Sequence, residues 1–107
     1  MWAKPTKEML ANVPELYATE DTPLKDKVIH LHFFLGGCDW YIAEYDGQDT
    51  MFGYCVLNND LEMAEWGYVS FTELKNLKVG FMEVDTDLHF GTPKACEVDT
   101  ICKGMRW

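Results

Sequence analysis

Between Val28 and Leu74 the chain runs for 47 residues without a single Lys or Arg. The same stretch holds eight acids, Asp39, Glu44, Asp46, Asp49, Asp60, Glu62, Glu65 and Glu73, and ten of the chain's fifteen aromatic residues. That pairing restricts the fold. Aromatic bodies supply area to bury, while acids with no cation nearby must stay in water. Apolar residues alternating with period two turn this demand into a sheet with an apolar face and an acidic rim.

Val28–Leu35 reads as the first strand, with Ile29, Leu31, Phe33 and Leu35 on one face and Val28, His30, His32 and Phe34 on the other. Gly36-Gly37-Cys38-Asp39 is a turn, and Trp40–Tyr45 a second strand. Asp46-Gly47 is a hairpin signal, because both residues tolerate the positive φ of a tight turn. Thr50–Leu57 and Glu65–Val69 follow as third and fourth strands, giving an antiparallel meander. Gly53 and Gly67, each inside a strand, point to a bulge or to close aromatic packing over the glycine.

Short helices flank these strands. Thr6 is placed to cap a helix within 6–13, which Pro14 ends or kinks. Ser70-Phe71-Thr72-Glu73 has the form of a capping box opening a helix over Phe71–Leu77. Phe81–Phe90 carries alternating acids and reads as a final strand. The expectation is one α+β domain over residues 1–107, an antiparallel sheet of four or five strands with short helices packed on it.

Charge narrows the function. The net charge is -9 and the pI about 4.6, against direct contact with nucleic acid or an anionic membrane, which reward Lys and Arg. No apolar run reaches the roughly 18 residues of a membrane span, and no signal-like stretch opens the sequence, so the cytoplasm is the expected location. Cys38, Cys55, Cys96 and Cys102 form no Cys-x-x-Cys pair. They are expected as thiols, Cys55 as a small core residue, with Cys96 and Cys102 near enough in sequence to pair if oxidised.

Four ordered motifs carry a resemblance: Trp40-Tyr41-Ile42-Ala43-Glu44-Tyr45-Asp46, then Met51-Phe52-Gly53-Tyr54, then Glu65 through Leu74, then Asp87-Leu88-His89-Phe90, with Leu16-Tyr17-Ala18-Thr19-Glu20 ahead of them. Over about residues 16–90 the chain resembles the domain-of-unknown-function family 2958, leaving 91–107 as an extension. Where that family often has Arg, this chain has Thr86. The resemblance implies a small accessory protein of plasmids, conjugative elements or phages, and assigns no reaction, cofactor or catalytic residue.

Several chemistries compete for the polar residues. The leading reading is non-enzymatic contact with a protein bearing a basic groove. Asp39, Glu44, Asp46, Asp49, Asp60, Glu62 and Glu65 would form one phosphate-mimicking edge, with Trp40 and Trp66 as apolar anchors. The target in that reading is a host defence protein that binds nucleic acid. The plainer reading of the same acids is a solubilising rim. On a strand, Glu83, Asp85, Asp87 and His89 point one way and offer ligands to a divalent cation. His30 and His32 beside Cys38 suggest either a zinc site or an accessible thiol with a histidine partner. A small metal-dependent or thiol enzyme is therefore the alternative, and a structural subunit of a conjugation or replication assembly a third.

Overall fold

The alternating segments form strands in the computed structural model, which describes residues 1–107. In chain order the elements are α1 (Lys7–Ala11), β1 (Leu31–Leu35), β2 (Cys38–Tyr45), β3 (Thr50–Val56), β4 (Glu65–Ser70), α2 (Phe71–Asn76), β5 (Lys78–Val79), β6 (Met82–Glu83), β7 (Asp85–Thr86) and α3 (Asp99–Met105). Single 3-10 turns lie at Leu24–Asp26 and Ala95–Glu97. Five strands make one antiparallel sheet in the order β4-β3-β2-β1-β7, and β5 and β6 form a separate hairpin. The fold is α+β, and its radius of gyration of 12.9 Å is that of one compact domain, for which about 13 Å is expected.

The sheet is buried on both faces. On one lie Leu31, Phe33, Leu35, Trp40, Ile42, Tyr45 and Met51, covered by Val13 beyond α1, Leu74 of α2 and Val84. On the other lie Ile29, Tyr41, Ala43, Tyr54 and Val56, covered by Ala95, Val98 and Ile101 of the C-terminal segment. β2 therefore reads as an almost continuous buried run rather than a clean alternation. Each fully buried residue such as Phe33, Ile42 or Met51 contributes about 1.5–3 kcal/mol. The tail after Gly91 forms the second covering layer. No helix is long and apolar enough to cross a membrane.

Local chemistry sets the turns. Asp46 accepts the N–H groups of Gln48, Asp49 and Thr50 through one carboxylate oxygen, and Gly47 takes φ +83. Thr6 caps α1 by accepting the Met9 N–H. Ser70 caps α2 by accepting the Glu73 N–H, but the Glu73 carboxylate does not accept the Ser70 N–H in return. Asp49 braces the helix start through other donors, accepting the Thr72 N–H and the Ser70 hydroxyl, while its carbonyl accepts the Phe71 N–H.

Three local expectations change. Ile29 does not share a face with Leu31: His30 donates to the Ile42 carbonyl out of the β1–β2 register, and before it the chain pairs with the tail, Ile29 donating to the Pro93 carbonyl beside a Val28–Lys94 bridge. Phe81–Phe90 is no single strand: the β5–β6 hairpin ends at Glu83, and only Asp85 and Thr86 pair with β1. The bulge sits in β2 between Ile42 and Glu44, facing Gly53, where a Cβ would stand 2.0 Å from the Tyr41 carbonyl oxygen. Gly67 has nothing packed over it.

Candidate functional site

Strand direction sorts the central acids to two ends of the sheet. Asp39 stands second in β2 opposite Val56, and Glu65 opens β4 opposite Cys55, so both stand at the end that carries the loop of Asp60 and Glu62. Asp46 and Asp49 stand at the other end, seven residues along β2 or about 23 Å away. The expected single acidic edge therefore does not form. Several acids also have structural work. Asp46 and Asp49 bind the backbone as described, and Asp60 accepts the N–H groups of Glu62 and Met63. Hydrogen bonds to their charged forms hold Asp46 and Asp49 below the ordinary carboxylate range.

Glu44 is removed from the surface altogether. The bulge turns it in with Ala43, and its side chain is only 5% exposed. The carboxylate accepts the N–H of Tyr17, the N–H of Thr19 and the Thr19 hydroxyl, and the Lys27 ammonium lies 3.9 Å away. Lys27, 6% exposed, also donates to the Thr19 carbonyl and hydroxyl. This anchor holds Tyr17 at φ +68, an uncommon conformation for a large side chain. Above it is a pocket of about 300 Å³ lined by Tyr17, Glu20, Leu24, Lys27, Glu44, Phe52 and Tyr68. The Tyr17 hydroxyl beside Tyr68, then burial, then the charges of Glu44 and Glu20, raise the Tyr68 phenol above its ordinary value. Tyr17, Glu44, Phe52 and Tyr68 come from four separate segments carrying the family resemblance, and the fold brings them together.

The metal and thiol candidates disperse. Glu83 pairs with the N-terminal amine and with Lys78, Asp85 accepts the Ala3 N–H, and Asp87 accepts the His89 N–H while His89 is exposed. They cannot share an ion because β6 and β7 do not form one continuous strand. No three His, Cys, Asp or Glu side chains anywhere are grouped to hold a metal ion. His32 stacks on Tyr41 with ring centroids 4.5 Å apart; its Nε2 is 2.7 Å from an Asp39 oxygen and its Nδ1 3.7 Å from Asp87. Cys38 packs with Trp40 and Leu35 on the opposite face of the sheet, so His32 and Cys38 form neither a zinc pair nor a nucleophile–base pair. His30, half-buried, has its pKa lowered by that burial. All four cysteines are thiols; Cys102 donates to the Cys96 carbonyl, and burial, with the nearby Glu65 charge, pushes Cys55 up to about 11.

Neither tryptophan is an exposed anchor. Trp40 is buried and forms the floor of a groove of about 480 Å³ walled by Val69, Leu74 and Leu77, with Glu73 at its rim. Trp66 is half-buried, stacked on Phe52. Other aromatics are exposed: Trp2, Phe34 and Trp107, together with Tyr17 at 62%, Tyr68 at 56% and Phe81, at the tip of the β5–β6 hairpin, at 97%. Sequence alternation alone marks Tyr68 as outside or inside only once the face of β4 is known. Phe81 has no alternation signal, because a two-residue strand is too short to show one.

β4 ends the sheet, and its outer edge is open. Phe71 donates to the Asp49 carbonyl, which fixes the phase of the β3–β4 ladder. In that phase the N–H and C=O groups of Trp66 and Tyr68 point away from β3. The strand has no Lys, Pro or bulge of the kind that usually blocks such an edge.

Comparison with known proteins gives one match. No curated protein and no solved structure matches the chain. Residues 3–98 match the family described as protein of unknown function (DUF2958), a span that takes in α1 and the first 3-10 turn of the tail as well as the whole sheet. The chain belongs to the DUF2958 family.

Proposed function

We propose that this protein is a non-enzymatic accessory factor of a mobile element or phage, acting in the cytoplasm by contact with a basic protein. The observation that carries the reading is the state of its central acids. Glu44 is neutralised by Lys27 and Asp39 faces His32, but Asp46, Asp49, Asp60, Glu62, Glu65 and Glu73 have no ion-pair partner. They sit in a stretch with no Lys or Arg at all. Six uncompensated carboxylates set up a field that attracts a cationic surface and speeds encounter with it. The partner chemistry this suits is a basic groove that otherwise holds nucleic acid, as on a host defence enzyme. The contact is made by acids at two ends of the sheet rather than by a continuous phosphate-like row.

The test is competition at a basic partner. Glu62, Glu65 and Glu73 make no side-chain hydrogen bond or ion pair, so Glu62→Lys, Glu65→Lys and Glu73→Lys together reverse charge without removing a cap. Immobilised protein is exposed to nuclease-treated bacterial lysate, and captured proteins are identified and challenged with duplex DNA. The expected result is a nucleic-acid-binding protein that duplex DNA displaces and that the triple variant does not retain. Equal capture by the triple variant, or no displacement by DNA, overturns the reading.

A further inference from the structure

We propose that the open edge of β4 is a docking site for an extended segment of the partner protein, cationic at both ends, which adds to the sheet as a sixth strand. This rests on the basic-partner reading and names the part of the partner that is held.

Three independent features meet at this edge. The first is backbone: the outward N–H and C=O groups of Trp66 and Tyr68 have no partner in the fold, and an added strand supplies them. The second is the pair of recesses on either side of it. Side chains of an added strand alternate between the two faces of the sheet. On one face they meet the exposed ring of Tyr68, with Tyr17 and Glu20 behind it. On the other they meet the groove floored by Trp40 and walled by Val69, Leu74 and Leu77. The third is charge. Asp60, Glu62 and Glu65 stand before or at the start of β4, and Asp49 and Glu73 stand at its end. Six residues of strand span about 20 Å, so the edge is bracketed by carboxylates at that separation.

Charge also decides between occupants. A second copy of the chain would bring another net charge of -9 and the same two acidic brackets to the edge, which opposes self-pairing. A segment with Lys or Arg about five or six residues apart, and β-branched residues between, meets both brackets while its backbone pairs with β4.

The test uses the intact protein and three labelled synthetic peptides. One is Lys-Val-Thr-Val-Thr-Lys. The second replaces both Lys by Glu. The third keeps the charges but carries N-methyl groups on the alternate amides that would face β4. The lysine-ended peptide is expected to bind, to shift the amide resonances of residues 65–70, and to lose about tenfold or more of its affinity in each of the other two forms. Tyr68→Pro, which removes an N–H that points outward, is expected to abolish binding, whereas Tyr68→Ala only weakens it. If the N-methylated peptide binds as well as its parent, or the shifts fall away from β4, strand addition is wrong while contact by charge stands. If the lysine-ended peptide fails to bind although the lysine-reversed triple variant still loses its captured partner, strand docking fails and the basic-partner reading survives. Sedimentation of the protein alone as a dimer that Tyr68→Pro dissociates would assign the edge to self-association and overturn the proposal.

Discussion

The Lys27 ammonium lies 3.9 Å from the Glu44 carboxylate, and both side chains are almost wholly out of water. Three donors from the Tyr17–Thr19 loop complete the carboxylate's shell. The pair fastens an otherwise irregular stretch, residues 14–30, to the bulge of β2.

Breaking one side of this pair strands the other charge in the interior, which typically costs about 3–5 kcal/mol. Against a total stability of about 5–15 kcal/mol that is a large fraction. Glu44→Gln and Lys27→Met are each expected to lower the urea midpoint strongly. The double variant Glu44→Gln with Lys27→Met should lose clearly less than the two single losses added together. A double-mutant cycle measures this directly. Single variants close to wild type, or strictly additive losses, would show that loop and sheet are held by something else.

Acid sensitivity should trace to the turn between β2 and β3. Backbone N–H groups of Gln48 and Asp49 lower the Asp46 pKa; the Thr72 and Ser70 side chains, then the Thr72 N–H, lower that of Asp49. In the unfolded chain an aspartate titrates near about 3.9. Folded values below this mean that unfolding takes up protons. The stability these two acids confer is present in full above about pH 4 and is lost as pH falls through their folded-state values. Asp46→Asn with Asp49→Asn keeps an accepting oxygen at each position but removes the titration. Thermal unfolding followed from pH 5 down to pH 2 should show a shallower loss for that variant; an unchanged slope would place the acid-sensitive groups elsewhere.

Much of this architecture was legible because it depends on short-range chemistry. The period-two runs locate β1 to β4 within one to three residues, Asp46-Gly47 locates the β2–β3 hairpin, and Ser70 locates α2. The same runs could not show that both faces are covered, since the second cover comes from the C-terminal segment from Ala95 to Ile101, a tail with weak periodicity. Glu44 illustrates the limit for the site. In sequence it is one more acid in an acidic run, and only the bulge after Ile42 and the distant Lys27 make it a buried ion. A Lys just before a long cation-free stretch is the one hint the sequence offers. Trp40 misleads for a related reason: its neighbours are aromatic in either setting, and whether its face is open depends on where α2 lies.

Thiol reactivity should separate the cysteines by environment. Cys96 is exposed, while Cys55 is partly buried beside Glu65 with its pKa pushed up to about 11. The thiolate is the reacting form, so at pH near 8 only about one molecule in a thousand presents it at Cys55. Timed iodoacetamide labelling of the native protein, read peptide by peptide by mass spectrometry, is expected to modify Cys96 early and Cys55 last. Glu65→Gln removes the repelling charge and should quicken Cys55 modestly. Labelling of Cys55 as fast as Cys96 would contradict its position against the core.

The packing of α3 on the sheet turns on one glycine. A Cβ at Gly104 would stand 1.9 Å from the Tyr54 hydroxyl oxygen and 2.9 Å from the ring carbon that bears it. Tyr54 is fully buried between β2 and the half-buried Trp66, so its ring has little room to retreat. Gly104→Ala raises intrinsic helix propensity by about 1 kcal/mol, yet overpacking costs typically 1–3 kcal/mol, about 2 in the middle of the range. The clash should win, and the variant is expected to unfold at a lower temperature despite the better helix former. Tyr54→Phe deletes the closest atom and should recover part of the loss when combined with Gly104→Ala. Thermal melts of the two single variants and the double variant decide it. A Gly104→Ala protein more stable than wild type would mean that α3 sits farther from β3 than this contact requires, and that the second face of the sheet is loosely covered.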